Sequence, residues 1–375
     1  MANIIDYMDW RGDITFDRSG VNEVDGLIFS QLAYIPFDGL LENGFTEYRT
    51  IEDVGNAFFS VYTEYFIENW TELLKSCCLV LRKMMESDRF KNLLLCNYCS
   101  EFDPEKSKQF AAITINLTCN TCYVAFRGTD DSIAGWEEDF NACYMMPVPA
   151  QSKAAEYIRY VLDNFDGFIY IGGHSKGGNL AVYASMVEGY KDKNRIVRVQ
   201  NYDGPGFLQE YVESEGYRRI IDIVDSYTPK ASIVGMIMFS GDDNVIVESS
   251  EKGFMQHTAI SWQVLGSHFQ TADSYENFSV VFSKANKIWI NEISREERAL
   301  FIEIVFKVLK SGFDTVTGLK EGFFNTATTI LKSYNDVDKE TRKLIRSIIG
   351  QIIKLSTSSY KETKKEIKNL EEKSN

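Results

Sequence analysis

The segment at residues 168–181 constrains the fold of this chain more than any other. It reads Phe-Ile-Tyr-Ile-Gly-Gly-His-Ser-Lys-Gly-Gly-Asn-Leu-Ala and carries the pattern Gly-x-Ser-x-Gly at 173–177. The aromatic and β-branched residues before the pattern are typical of a buried strand, and the run after it predicts a helix. A strand, a glycine-flanked serine and a helix in this order predict a sharp turn that presents Ser175 as a nucleophile. The alternative is a glycine-rich turn with an inert serine.

Hydrolysis through a serine also requires donors for the developing oxyanion. Because a helix N terminus directs free N–H groups at a reacting carbonyl, we expect the backbone N–H of Lys176 to be one donor. The second should follow an earlier strand. Thr129 fits, since the apolar run 123–126 predicts a strand and Gly128 permits a tight turn. An ordinary turn at the end of a strand is the alternative.

A serine hydroxyl is a weak nucleophile and needs a general base. The chain has three histidines, His174, His257 and His268. We expect His174, which precedes the serine, to pack away from it. Both others satisfy the chain order serine, acid, histidine. We favour His257, because it follows soonest after the last predicted strand, and we interpret His268 as an ordinary surface residue.

The third member of such a site is an acid that orients the imidazole. Asp203 follows the predicted strand 195–202, and Asp225 follows the predicted strand 219–224. Both stand at the carboxyl end of a predicted strand, so the sequence leaves Asp203 and Asp225 equally open. Asp242 and Asp243 precede a further predicted strand at 245–247.

Strands alternating with helices predict an α/β fold with a mostly parallel central sheet covered on both faces. From about residue 286 the pattern changes to helices alone. We therefore expect a domain at 1–285 and a helical C-terminal extension at 286–375. Capping boxes at 294–297 and 359–362 support these helices. An apolar stripe at 344–355 suits a partner-binding or membrane-surface helix, but we favour packing on the protein itself.

Charge and composition exclude several classes of protein. The formal net charge is −14, from 40 basic and 54 acidic residues, so the basic face of a nucleic-acid-binding protein is not expected. No apolar run approaches the roughly 18 residues that a transmembrane helix needs. The start of the chain does not resemble a secretory signal, and seven cysteines, an odd number, favour a reducing compartment. We therefore expect a cytoplasmic protein.

Two Cys-x-x-Cys pairs, at 96/99 and 119/122, have a spacing that resembles a zinc ribbon. We favour another interpretation, in which Cys119 and Cys122 flank a hairpin turn and Cys96 lies in the core. No metal or organic cofactor is expected.

Taken together, these motifs resemble the class 3 lipases of the α/β-hydrolase superfamily. Within that group the chain is similar to a lipase-like bacterial domain-of-unknown-function family found mostly in Firmicutes. The resemblance covers roughly residues 1–270 and implies an α/β-hydrolase fold, Ser175 as nucleophile, His257 as base and Thr129 as oxyanion donor. It rests on the following segments: Asp6-Tyr7 with Trp-Arg-Gly-Asp at 10–13, Phe-Arg-Gly-Thr-Asp at 126–130 with Gly-Trp-Glu-Glu-Asp at 135–139, Gly-His-Ser-Lys-Gly-Gly-Asn-Leu-Ala at 173–181, Asp-Gly-Pro-Gly-Phe at 203–207, Pro229 with Ser-Ile-Val-Gly at 232–235, and Gln256-His257.

Two positions depart from the lipase pattern. Class 3 lipases carry Asp-x-Val-Pro at the acid, whereas this chain has Asp225-Ser-Tyr-Thr-Pro229, one residue longer, so Asp203 stays open beside Asp225. Lys176 also replaces the apolar residue or glutamine common after the nucleophile. We expect a solvated lysine there, and selection of anionic substrates is the alternative.

The resulting hypothesis is a serine esterase that cleaves a small-molecule or lipid acyl ester through an acyl-enzyme intermediate. A thioesterase or acyltransferase would use the same residues. A non-catalytic interaction module on a hydrolase fold is a further alternative, because fold does not fix function. The residues from 232 to 239 could line an acyl pocket, form a lid or be a core strand.

Overall fold

The computed structural model describes residues 2–130, 132–189, 194–241 and 244–310. Its helices are α1 (Ile4–Arg11), α2 (Glu23–Leu32), α3 (Ile51–Val61), α4 (Glu64–Ile67), α5 (Glu72–Glu86), α6 (Ile133–Asn141), α7 (Pro149–Asn164), α8 (Lys176–Val187), α9 (Gln209–Val212), α10 (Glu215–Ile220), α11 (Asn277–Glu292) and α12 (Arg295–Lys310). Its strands are β1 (Arg49–Thr50), β2 (Leu94–Asp103), β3 (Lys108–Thr118), β4 (Thr121–Phe126), β5 (Phe168–His174), β6 (Ile196–Tyr202), β7 (Val224–Pro229), β8 (Asn244–Val247), β9 (Val264–Leu265) and β10 (His268–Phe269).

Strands β1 to β8 form one sheet in the order of the sequence. The pairs from β1 to β4 are antiparallel, and the four pairs from β4 to β8 are parallel. Helices connect the parallel strands from β4 to β7, because a parallel pair needs a crossover, and a loop with a short 3-10 turn connects β7 to β8. The prediction of an α/β fold with a mostly parallel sheet is confirmed.

Hydrophobic residues cover both faces of this sheet. Side chains alternate along a strand, and β4 divides them between two separate core clusters. Tyr123 and Ala125 belong to the cluster that includes buried residues of α2. Cys122, Val124 and Phe126 belong to the cluster that includes buried residues of α7 and α8. The sheet is thus the middle layer of three, and its strand ends are left free to carry functional side chains.

The prediction of a strand at 219–224 is wrong. The chain there forms α10 and a short 3-10 turn, and β7 begins only at Val224. The Ser214 side chain caps the helix by accepting a hydrogen bond from the N–H of Tyr217 (3.2 Å). Tyr217 and Ile220, three residues apart, are both buried, as on one face of a helix. Asp225 therefore lies at the beginning of a strand and not after its end.

Helical spacing of apolar residues between 53 and 100, such as Leu73, Leu74, Cys77 and Cys78, predicts a largely helical region, but the structure there is only partly helical. Helices α3, α4 and α5 account for much of it, but β2 starts at Leu94 and pairs with β3 along most of its length. The predicted hairpin is confirmed as β3 and β4, with Cys119 in its turn and Cys122 in β4. All seven cysteines are free, and the described ranges contain no group of three or more metal-ligating side chains.

The C-terminal part that the structure describes consists of α11 and α12. The capping box at 294–297 is confirmed: Glu297 N–H donates to Ser294 Oγ (3.2 Å), and the N–H of Ser294 donates to the Glu297 carboxylate (3.2 Å). The predicted division between 285 and 286 falls within α11 and stays a prediction. The capping box at 359–362 and the stripe at 344–355 lie outside the described residues. Among the helices that are described, none is long and apolar enough to cross a membrane.

Candidate active site

Ser175 occupies a sharp turn between a strand and a helix. Strand β5 ends at His174, and α8 begins at Lys176. Ser175 between them has φ 58° and ψ −133°, a backbone conformation that L residues rarely adopt. Its N–H donates to the carbonyl of Tyr202 at the end of β6 (2.8 Å), which ties the turn to the neighbouring strand. The first N–H groups of α8 have no partner within the helix and lie beside the serine.

Two glycines allow this turn to pack tightly. A Cβ added to Gly173 would lie 2.3 Å from the backbone carbon of Gly177, and one added to Gly177 would lie 2.2 Å from the carbonyl oxygen of Phe126. Both distances are far below van der Waals contact, so a side chain at either position would push backbone segments apart. The glycines thus set the distance between the serine turn and the end of β4.

Asp203 holds the imidazole of His257. The carboxylate follows β6 directly, and its Oδ2 lies 2.6 Å from Nδ1 of His257. Its other oxygen, Oδ1, accepts hydrogen bonds from Ser232 Oγ (2.5 Å) and the N–H of Gly235 (3.2 Å). Asp203 is 1% exposed and has φ 53°, in the left-handed region that aspartate tolerates. Three hydrogen bonds hold this buried carboxylate in place, so the histidine ring is fixed in orientation.

His174 contacts the backbone of the same histidine. Its Nε2 lies 2.8 Å from the carbonyl oxygen of His257, so this nitrogen carries the proton and donates. Nδ1 is then unprotonated and accepts from the hydroxyl of Tyr34 (3.4 Å). Burial, together with the neighbouring His257, lowers the pKa of His174 to about 3. His174 is therefore a buried, neutral support for the His257 loop, and its two ring nitrogens contact His257 and Tyr34.

The remaining candidates lie elsewhere. Asp225 faces Arg198 (3.8 Å) near the beginning of β7, and among the described residues no hydrogen bond or ion pair joins it to His257. The structure thus brings Asp203, and not Asp225, to the histidine. His268 lies on β10 beside Glu23 (3.4 Å) with a largely exposed side chain. Asp242 and Asp243 lie outside the described residues.

Thr129 lies in the turn that follows β4. Its hydroxyl donates to Oδ2 of Asp139 on α6. Burial raises the pKa of Asp139 to about 6, although Lys176 and the Thr129 hydroxyl oppose this rise. Strands β4 and β5 are parallel neighbours, with Phe126 opposite Gly173. The turn that bears Thr129 and the turn that bears Ser175 therefore lie at the same edge of the sheet.

The expectation of a solvated Lys176 is wrong. Its side chain is 4% exposed, and Nζ lies 2.8 Å from Oε2 of Glu138, which is fully buried, and 3.8 Å from Asp139. The Glu138 carboxylate also accepts the N–H groups of Gln109 (3.0 Å) and Ala150 (2.7 Å). A buried charge needs such pairing and hydrogen bonding. The Lys176–Glu138 pair joins α8 to α6. Helix α6 also carries Asp139, which accepts the hydrogen bond from the Thr129 hydroxyl.

Space for a ligand begins at Ser175. A pocket of about 30 Å³ touches Ser175 and Lys176 and is closed by Pro205 and by side chains of α6. A larger cavity of about 350 Å³ shares five lining residues with it, namely Trp136, Phe140, Cys143, Val234 and Ile237. The residues between 232 and 239 form a short 3-10 turn, not a core strand, and they line both spaces.

For a proton transfer between them, Ser175 Oγ and the His257 ring must come within hydrogen-bond distance of each other. Within the described part of the chain, no hydrogen bond joins Ser175 Oγ to His257, whose ring is held by Asp203. Such bonds are often long in enzymes without substrate and shorten in the complex.

The sheet, the strained serine turn and the Asp203–His257 pair define the class: an α/β hydrolase of lipase-like architecture. The chain belongs to the Mbeg1-like family, a lipase-like family whose model matches residues 84–307, more than half of the chain. A solved lipase from Rhizopus microsporus var. chinensis is similar at 15% identity, over 61% of this chain and 84% of that chain, with a TM-score of 0.30. No curated protein matches the chain.

Sequence reasoning missed Glu138, Ser232 and the supporting contact of His174. A signal existed for Glu138, because Lys176 opens a predicted helix otherwise made of small and apolar residues. A lysine in that setting needs a buried partner, and 137–139 is an acidic triplet close to the predicted oxyanion turn. Ser232 had no such signal, since only the fold brings it to Asp203.

Proposed function

We propose that the chain is a serine hydrolase that cleaves carboxylic esters through an acyl-enzyme intermediate. One observation carries the proposal: the 2.6 Å contact between Asp203 and His257 occurs at the sheet edge where Ser175 occupies its strained turn. An aspartate that holds Nδ1–H of a histidine leaves Nε2 free to accept a proton. Membership in a lipase-like family supports the same reaction class.

In the first half-reaction Ser175 Oγ attacks the ester carbonyl carbon while its proton passes to Nε2 of His257. The negative charge that develops on the carbonyl oxygen is stabilised by the backbone N–H groups of Lys176 and Thr129. The tetrahedral intermediate expels the alkoxide, which takes the proton from His257 and leaves as the alcohol. Ser175 now carries the acyl group.

In the second half-reaction a water molecule attacks the acyl-serine and gives its proton to His257. The second tetrahedral intermediate releases the carboxylic acid, and the proton returns from His257 to Ser175. Asp203 keeps the same hydrogen bond throughout and stabilises the imidazolium form. The hydroxyl of Thr129, which donates to Asp139, fixes the turn that supplies the second N–H.

Labelling with a fluorophosphonate tests this assignment, because the probe reacts only with an activated serine. We expect the wild-type chain to label, Ser175→Ala not to label, and His257→Ala to label at least about 1,000-fold more slowly. Asp203→Asn and Asp225→Asn form a matched pair. Asp203→Asn should slow labelling by roughly 10⁴-fold, as for a lost triad carboxylate, whereas Asp225→Asn should react like the wild type.

A folded wild-type chain that never labels would exclude the enzyme and favour a non-catalytic module on this fold. Equal labelling of Asp203→Asn and the wild type would remove Asp203 from the site. A comparison of p-nitrophenyl esters with acyl-CoA substrates then separates an esterase from a thioesterase.

A further inference from the structure

The larger cavity is walled on one side by the two C-terminal helices. Phe282, Ala285 and Trp289 of α11 and Phe301 and Ile302 of α12 line it. The opposite wall comes from α6, from the 3-10 turn after β7 and from the loop that carries His257. Its volume of about 350 Å³ lies in the range of small-molecule sites. Helices α11 and α12 therefore complete a chamber that would be open on one side without them.

This chamber adjoins the space at Ser175, because five residues line both. It is also one side chain away from the histidine. Phe254 lines the chamber, and its ring stacks on the imidazole of His257 with 6.1 Å between centroids. The chamber thus lies next to the space that Ser175 lines, and Phe254 separates it from the imidazole of His257.

The walls are mostly hydrocarbon and contain no charged side chain. The lining side chains contain no carboxylate and no basic group. Asn286 is the one amide among them, and its Oδ1 already accepts the N–H of Met238 (2.7 Å). A charged ligand would lose its hydration in this chamber without gaining a counter-charge, since the buried, unpartnered donor among the lining residues is the neutral Nε1–H of Trp289.

Contacts with the rest of the fold hold the wall in place. The Asn286–Met238 hydrogen bond fastens α11 to the loop after β7. The ring of Phe306 in α12 packs on Phe140 of α6, with 5.5 Å between centroids. Arg298 Nη1 donates to the carbonyl of Ile290 (2.7 Å) and joins the two helices to each other.

We propose that α11 and α12 form the wall of the acyl-chain pocket, and that a larger side chain at Ala285, the smallest of the lining side chains, would shorten the acyl chain that fits. The inference rests on the proposed serine hydrolase. The acyl chain is the occupant to which we commit, because it stays attached to Ser175 through both half-reactions, whereas the alcohol leaves after the first. The ligand class is a neutral, unbranched aliphatic acyl group.

The test varies the acyl chain at a constant leaving group. For the wild-type chain, kcat/KM should rise from p-nitrophenyl acetate through butyrate to octanoate, by about fourfold for each methylene that becomes buried. Ala285→Trp fills the chamber and should lower the octanoate-to-acetate ratio at least about tenfold. Asn291→Trp is the matched control, since Asn291 is an exposed residue of the same helix outside the lining, and it should keep the wild-type ratio.

Trp289→Ala tests the opposite direction and remains informative if Ala285→Trp does not fold. Removal of the indole enlarges the chamber and should move the optimum towards longer esters such as the laurate. A second series uses acetate esters of alcohols of increasing length, and its kcat/KM profile should be the same in the wild type and in Ala285→Trp. If the profile changes in the variant, the chamber holds the alcohol and the proposal is overturned.

The two proposals fail in different ways. An unchanged acyl-length profile in both variants, with normal fluorophosphonate labelling, overturns the pocket and leaves the hydrolase intact. A wild-type chain that neither labels nor hydrolyses acetate overturns the hydrolase, and the pocket with it.

Discussion

At the scale of single residues, the buried pair of Lys176 and Glu138 is the most costly arrangement near the serine. Taking two charges out of water is unfavourable, and the cost is offset only while both partners remain. Gln109 and Ala150 add two N–H donors to Glu138, so the carboxylate is well satisfied. The pair fixes α8 against α6 at the point where the proposed oxyanion donors come from both segments.

Lys176→Met should therefore destabilise the fold by about 3–5 kcal/mol, because it leaves Glu138 buried without its counter-charge. The free energy of unfolding from urea titration measures this. The double variant Lys176→Met/Glu138→Gln removes the stranded charge and should recover at least half of the loss. A loss below about 1 kcal/mol in the single variant would mean that the pair behaves as a solvated surface pair.

His174 should make the fold sensitive to acid. Its pKa is about 3 in the folded protein because the ring is buried, whereas an unfolded histidine has a pKa near 6.5. Below about pH 6.5 the unfolded state binds the extra proton, so this contribution to stability is lost as the pH falls towards 3, by roughly 1.4 kcal/mol per unit.

His174→Gln tests this linkage, because glutamine does not titrate and its amide can still donate to the carbonyl of His257. Thermal melts between about pH 7 and pH 4 should show a shallower decline for the variant than for the wild type. Parallel curves would assign the acid sensitivity to other groups.

The serine turn was predictable from sequence because its determinants are local. Glycine spacing, a strand before and a helix after are all contained in fourteen residues. The choice between Asp203 and Asp225 was not predictable, because it depends on which end of each strand faces His257. That follows from the parallel register of β6 and β7 and from the helix and 3-10 turn at 215–223, whose apolar-rich last residues, 220–223, also suit a strand.

At the scale of elements, the fit between β4 and the start of α8 determines where the two proposed oxyanion donors stand. In a helix interior, alanine normally stabilises relative to glycine by about 1 kcal/mol. At Gly177 we expect the reverse, because the added Cβ would lie 2.2 Å from the carbonyl oxygen of Phe126. Gly177→Ala should cost about 1–3 kcal/mol.

The same variant should lower kcat/KM on p-nitrophenyl acetate by roughly 10- to 100-fold, since small displacements of reacting groups are expensive. Gly20→Ala serves as control, because a Cβ there meets nothing within 4 Å. Unaltered activity and stability in Gly177→Ala would show that the helix start can move without consequence.

At the scale of the whole molecule, Arg89 joins the N-terminal segment to the core. Its guanidinium donates to both oxygens of Asp25 (2.9 and 2.5 Å) and to the carbonyls of Ile14 (2.6 Å), Ser19 (3.0 Å) and Gly20 (3.0 Å). Both charged side chains are fully buried. Asp25 belongs to α2, which covers one face of the sheet, so the N-terminal residues pack with the sheet in one hydrophobic core.

Arg89→Lys should destabilise the fold by at least about 3 kcal/mol, because an ammonium cannot replace five N–H donors in a fixed plane. Denaturation by urea measures the loss. Arg82→Lys is the control: this arginine pairs with Glu64 at the surface, where a pair contributes about 0–1 kcal/mol. Equal losses in the two variants would contradict a special role for the buried pair.

The architecture of the sheet domain was largely predictable, whereas the place of the C-terminal helices was not. Alternating strand and helix patterns identify an α/β fold because each pattern is periodic within its own segment. The sequences of α11 and α12 show which face of each helix is apolar, but not which part of the protein that face contacts. Ile290 and Ile302 join the same core cluster as Leu180 of α8, a relation that only the folded chain contains.

The small volume at Ser175 has a consequence for how the molecule would respond to substrate. About 30 Å³ holds roughly one or two water molecules, so an ester group enters only after neighbouring side chains have moved. The measured KM would then combine contact energy with an opening equilibrium, because apparent affinity falls in proportion to the competent fraction. Two homologues that make identical contacts with the ester could thus differ in KM solely because the side chains around Ser175 open with different equilibrium constants.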